Sequence, residues 1–137
     1  MIGGASKSVI RGKIGEISFF QRLQELFPHY EIKDTSSESQ SADLEIVTED
    51  LEQISVECKN YSRSVNTKEI EKFKRDIEVK NSTGGIMVSF EQGFVKMKDM
   101  FTLEMYKGIP IVYISKFPLD NIPYYDNVIK SAFNIIS

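Results

Sequence analysis

The chain has 137 residues, of which 41% are apolar and 27% charged, with a formal net charge of −3; that length suits one domain, 1–137, with a single core that folds without staples. A lone cysteine, Cys58, excludes an internal disulfide, and a lone histidine, His29, excludes a zinc site built on Cys and His, so any metal must be a hard cation held by oxygen. No apolar run nears the roughly 18 residues of a membrane span, and the start lacks the apolar stretch of a secretion signal, so an intracellular protein with no membrane partner is expected.

From about Gly12 to Phe27 the spacing predicts a helix, ended by Pro28. Phe20, Leu23 and Phe27 recur at i, i+3 and i+7, with Phe19 and Leu26 beside them, giving a wide apolar face. Four residues further back the stripe reaches Glu16, a carboxylate in line with a core face, which needs a partner because burying an unpaired charge is costly. Tyr30 to Lys33 reads as a short strand, and the polar run from Asp34 to Ser41 as a loop. Two strands, 43–47 and 53–59, follow as a hairpin. Alternation puts Ile54, Val56 and Cys58 on one face and Ser55, Glu57 and Lys59 on the other. The hairpin brings Asp43 near the Glu57 end; Glu45 shares its face and reads as solvated or supporting.

Asn66 or Thr67 caps a predicted helix running to about Lys80, with Ile70, Phe73 and Ile77 as its apolar stripe and Lys68, Lys72 and Arg75 on the opposite side. Ile86 to Phe90 reads as a buried strand, Val95 to Tyr106 as a helix stopped at Gly108, Pro110 to Ser115 as a last buried strand, and Tyr124 to Ile136 as a closing helix. The order α-β-β-β-α-β-α-β-α predicts an α/β fold with a mixed central sheet flanked by helices.

Charge is unevenly spread. Residues 34–57 hold eight acids and no Lys or Arg, whereas 58–80 hold seven basic residues against four acids. The acidic block contains Asp43 and Glu57, where bound divalent cations would offset it and leave basic flanks for a polyanion. Taken alone, Glu57 and Lys59 are as well explained by an ion pair on an exposed strand, worth about 0–1 kcal/mol. Cys58 reads as a small core residue rather than a nucleophile. The Lys68/Lys72/Arg75 stripe is equally a solvated helix face.

A helix Glu16, then Asp43, then Glu57-Cys58-Lys59, on an α-β-β-β-α-β frame, resembles the PD-(D/E)xK nuclease superfamily and its restriction-endonuclease-like fold, closest in pattern to archaeal Holliday-junction resolvases and Mrr-like nucleases. Arg11-Gly12-Lys13-Ile14-Gly15-Glu16 is similar to the start of that family's first helix. Ser41-Ala42-Asp43 stands at its first strand carboxylate, without the proline some members have there, and Val56-Glu57-Cys58-Lys59 matches the ExK half. The resemblance covers roughly residues 10–115, and the C-terminal α-β-α segment is an extension. It implies an endonuclease that hydrolyses DNA phosphodiesters with Mg²⁺, for which Mn²⁺ substitutes. Asp43 and Glu57 would hold the metal with the backbone carbonyl of Cys58, and with Glu16 directly or through water. Lys59 would orient the attacking water and stabilise developing charge. Contacts to DNA fall to Arg11, Lys13, Ser41, Tyr61, Arg63, Lys68 and Lys72. Within this class a structure-selective resolvase stands against a restriction or DNA-repair enzyme, acting as a homodimer where two strands are cut. Outside it stands a non-catalytic nucleic-acid-binding or assembly module that keeps the fold.

Overall fold

The computed structural model describes residues 19–59, 63–90, 92–117 and 122–136, with 122–125 as backbone. Six strands form one mixed sheet: β1 Glu31–Asp34, β2 Leu44–Val47, β3 Gln53–Lys59, β4 Gly84–Ser89, β5 Phe101–Tyr106 and β6 Ile109–Ile114. Their spatial order is β1-β2-β3-β4-β6-β5. Strands β1, β2 and β3 make an antiparallel meander, β3, β4 and β6 run parallel, and β5 returns antiparallel along β6. Helix α1 is described over residues 19–26; α2 spans Thr67–Lys80 and α3 spans Ile122–Ile136. No described helix is long and apolar enough to cross a membrane.

The period of two along each strand sorts the core into two layers. Leu44, Ile46, Ile54, Val56, Ile86, Val88, Val112 and Ile114 point to the face covered by Phe19 and Leu23 of α1 and by Val128, Ile129, Ala132 and Phe133 of α3. Arg22 of α1 clasps Asp126 of α3 through two contacts, Nε at 3.0 Å and Nη2 at 2.6 Å. Met87, Ile111 and Tyr113 point the other way and meet Ile70, Phe73 and Ile77 of α2.

Helix α2 is well specified at both ends. The Asn66 side chain accepts from the Glu69 backbone N–H at 3.1 Å, and the Glu69 carboxylate accepts from the Asn66 N–H at 3.0 Å, a reciprocal capping box. Asn81 closes it in the left-handed conformation at φ 53°, and the Ser82 N–H returns to the Ile77 carbonyl. The strand after α2 begins at Gly84, two residues before the Ile86 expected from hydropathy. Gly85 has a steric reason: a Cβ there would lie 2.6 Å from Ile77 Cδ1 and 3.2 Å from the Phe73 ring. The missing side chain lets α2 sit close over β4.

The helix expected over 95–106 is not formed. Phe94 instead bridges Val65, and residues 101–106 are strand β5, paired to β6 from Phe101↔Ile114 to Tyr106↔Ile109. Met97, Phe101 and Met105 recur every four residues and mimic a helical stripe. The deciding feature is the two-residue turn, where Lys107 and Gly108 both take positive φ, 50° and 81°, the geometry of a tight hairpin. The C-terminal extension is therefore β-β-α rather than α-β-α.

Strand β5 is tied to α2 by charge. Glu104 takes Lys74 Nζ at 2.7 Å and the Tyr113 hydroxyl at 2.7 Å. On the next turn Glu78 takes the Tyr106 hydroxyl at 3.1 Å and the Lys107 ammonium. Burial alone would push the Glu104 carboxyl up, but the Lys74 ammonium and Tyr113 hydroxyl hold it below the ordinary carboxylate value.

Two outcomes follow from this packing. Gly85→Val should destabilise the fold by roughly 1–3 kcal/mol, seen as a lower urea midpoint; an unchanged midpoint would mean that α2 lifts freely from β4. Because the folded Glu104 carboxyl is depressed, its stabilisation is present above about pH 4.5, the ordinary value, and is lost as pH falls through the lower folded value. Wild type should therefore exceed Glu104→Gln in stability at pH 6, and the gap should close toward pH 3 in denaturant titrations at the two pH values.

Candidate active site

Strand register assembles the site. Leu44 pairs with Val56, so one step further Asp43 stands opposite Glu57, and Lys59 lies two residues on along the same face of β3. Asp43 is held from both sides. The Thr35 N–H donates to its carbonyl at 2.9 Å, and the Thr35 hydroxyl donates to the Ala42 carbonyl at 2.7 Å. The Cys58 N–H donates to Asp43 Oδ2 at 2.8 Å, and the Asp43 N–H donates to Glu57 Oε1 at 3.2 Å. Lys59 Nζ completes the group at 2.8 Å from Glu57 Oε2. Asp43, Glu57 and Lys59 thus form one contiguous set.

Glu57 is buried, 7% exposed, and its carboxyl is pushed up, first by that burial and then by the charge of Asp43. Lys59 opposes this by charge and hydrogen bond, and Lys72 by charge at longer range. Two carboxylates held together with too little positive charge present an oxygen-only donor set that a divalent cation fits. The Phe90 N–H donates to the Lys59 carbonyl at 3.0 Å on the β4 side, so strand alternation turns the Cys58 carbonyl toward the β2 side, that of Asp43. Among the described residues no group of three or more Asp, Glu, His or Cys side chains is placed to hold a metal ion. The third expected carboxylate, Glu16, lies outside the described residues, as do Arg11, Lys13 and Tyr61.

The remaining expected residues are spread around this set. Lys72, on α2, reaches forward one turn to Asp76 at 2.9 Å. Asp76 is buried at 4% exposure in line with Phe73 and Ile77, so it anchors Lys72 from below the helix. Sequence reasoning missed Asp76, although an acid inside an apolar stripe four residues after a lysine is a readable signal. Arg63 is exposed near the start of α2, 3.8 Å from Glu69, and Lys68 is exposed on its first turn. Ser41 is not at the surface; it is buried, with its hydroxyl 3.5 Å from the Ser39 carbonyl. Cys58 packs at the margin of the α1/α3 core.

Glu45 is not solvated. It is 5% exposed, accepts the Ser55 hydroxyl at 2.8 and 2.9 Å and the Gln53 amide at 3.4 Å, and Ser55 in turn meets Ser82 at 2.6 Å. Burial raises the Glu45 carboxyl, against the pull of these donors. This cluster joins β2 and β3 to Ser82, just past the C-terminal end of α2, two residues along β2 from Asp43.

The family model described as restriction endonuclease, for the Mrr catalytic domain, matches residues 13–96. That stretch runs from the residues before Glu16 through the Asp43/Glu57/Lys59 set, α2 and β4 into the segment that precedes β5. No curated protein and no solved structure matches the chain. With the match covering well over half of its length and the six-stranded mixed sheet carrying the expected frame, the chain belongs to the restriction endonuclease family, as a nuclease catalytic domain of the Mrr type.

Proposed function

We propose that this protein is a divalent-metal-dependent endodeoxyribonuclease, acting over residues 1–137 as one domain, with Mg²⁺ as its metal and Mn²⁺ as a substitute. The observation that carries the reading is the convergence on Glu57, at the C-terminal end of β3, of the Asp43 N–H at 3.2 Å and the Lys59 ammonium at 2.8 Å, with the Asp43 carboxylate held by the Cys58 N–H at 2.8 Å. In this reading Asp43, Glu57 and the Cys58 carbonyl hold the metal, and Glu16 completes the set. When bound, the metal supplies Lewis-acid polarisation of the phosphate and lowers the pKa of a bound water.

The chain's own groups do the rest. Cys58 N–H fixes the Asp43 carboxylate, so its orientation is set before substrate arrives. Glu57 aims the Lys59 ammonium, which stabilises negative charge as it grows on the phosphate and orders the attacking water. Helix α2 follows β3 directly, so its N-terminal end lies at the same sheet edge. Arg63, Lys68 and the Asp76-anchored Lys72 there take flanking phosphates, which position the duplex without reading its sequence. Cutting both strands from such a face calls for two copies related by a two-fold axis.

Lys59→Ala should lower cleavage by about 10²–10³-fold or more while DNA binding persists. The assay is a Mn²⁺ panel over linear, nicked, flapped and four-way DNA, which also ranks substrate shape. Failure of the wild type to cut any of these would exclude the nuclease reading in favour of a binding module. Asp43→Asn should abolish the heat of Mn²⁺ binding in calorimetry, and retention of that heat would place the metal elsewhere. Lys72→Ala should weaken binding alike for all sequences and reduce the slope of log K against log salt by about 1; an unchanged slope would remove Lys72 from the DNA contacts.

A further inference from the structure

Two buried hydroxyls, those of Ser89 and Ser115, have no hydrogen-bond partner among the described residues. Ser89 is the register partner of Lys59. Ser115 directly follows β6, where the Phe117 N–H donates to the Ser89 carbonyl at 2.8 Å. Alternation gives Ser89 the face of Met87 and Ser115 the face of Tyr113, the α2 side to which Glu57 and Lys59 also point. Lys59, Ser89 and Ser115 thus form a row across the ends of three adjacent parallel strands, two strand spacings or roughly 10 Å long. Most buried hydroxyls in native structures are completed by a protein group or an ordered water.

The row ends at a cavity of about 570 Å³, within the range of small-ligand sites. Its apolar lining is Phe94, Met97 and Met100, with Phe94 edge-on to Tyr113. Lys98 and Lys116 line it as exposed cations against one exposed carboxylate, Asp99, and Ser64 and Gln92 add a hydroxyl and an amide. Gly93 forms part of the lining, and a Cβ there would rest 3.6 Å from Ser115 Oγ, ordinary contact; a longer side chain fills the space.

These groups match the parts of a single nucleotide. The two thioethers offer an apolar wall for a base, with Phe94 buried behind them, amide and hydroxyl meet a base edge, and two ammonium groups against the single carboxylate of Asp99 leave a net positive charge for a phosphate. A groove for backbone phosphates alone has no use for the apolar wall, and an apolar ligand has no use for the lysines. We propose that this cavity holds one unstacked nucleotide of the DNA being cut, its base against Met97 and Met100 and its phosphate at Lys98 and Lys116. The inference rests on the nuclease reading above and narrows its substrate to DNA that offers an unpaired base beside the cut, where extrusion costs least.

The test is equilibrium binding, without metal, of two duplexes that differ only in whether a 2-aminopurine is paired or unpaired. Wild type should prefer the unpaired form about tenfold, the size one stacked base supplies, with a change in 2-aminopurine fluorescence on binding. Gly93→Leu should bring the ratio close to one with an unchanged melting curve. If that variant does not fold, the Lys98→Ala/Lys116→Ala double variant serves in its place and should also lose most of the preference. Lys59→Ala should keep the preference while losing cleavage. Equal binding of both duplexes by wild type, or a preference that survives in folded Gly93→Leu or in the double variant, overturns the pocket even if DNA is cut. A preserved preference without any cleavage instead retains the pocket and overturns the nuclease reading.

Discussion

The antiparallel register of β2 against β3 is the constraint on which the rest depends. With Leu44 opposite Val56, both strands send one full set of apolar side chains into the α1/α3 core and the other set toward α2. A slip of one residue by either strand would turn its polar set, Asp43 and Glu45 on β2 or Glu57 and Lys59 on β3, into that core and carry its apolar set to the α2 side. The burial that makes such a slip prohibitive, about 1.5–3 kcal/mol for each large apolar side chain, is therefore also what aligns the two carboxylates. The Cys58 N–H to Asp43 contact then locks the pair at its open end, where β2 has stopped and β3 continues.

A second constraint sets what surrounds the pair. The parallel β3-α2-β4 unit returns the chain over the sheet and places the start of α2 at the end of β3. Gly85 lets the helix settle deeply, and with that depth Asp76 becomes buried beneath it and fixes Lys72. The acidic block and the basic segment that follows it in the chain thus meet across one edge of the sheet. A net charge of −3 says little about the potential met by a polyanion there.

The C-terminal part of the sheet shows where local pattern misleads. Met97, Phe101 and Met105 at four-residue spacing describe a helix as well as Thr102, Glu104 and Tyr106 describe a strand face. What separates them is the Lys107-Gly108 turn together with partners distant in sequence: β6 on one side, and Lys74 and Glu78 of α2 on the other. Short apolar runs carry this ambiguity inherently. Once β5 is a strand, the connection from β4 to β6 is left without a helix, and the space above Ser115 stays open as the cavity beside the site.

By itself the sequence determined the alternation of β3, the hairpin that returns Asp43 to Glu57, the capped helix after Asn66 and the face assigned to Cys58. Each of these is written within a few consecutive residues, as a period of two, a period of 3.6 or a capping pair, and local backbone geometry enforces it. Tertiary structure alone decided that Glu45 is buried with Ser55 and Ser82, that Asp76 holds Lys72, that Ser41 faces inward, and that Lys59, Ser89 and Ser115 line up. Those facts depend on which strand lies beside which and how closely a helix approaches, and both are set by packing between residues far apart in the chain.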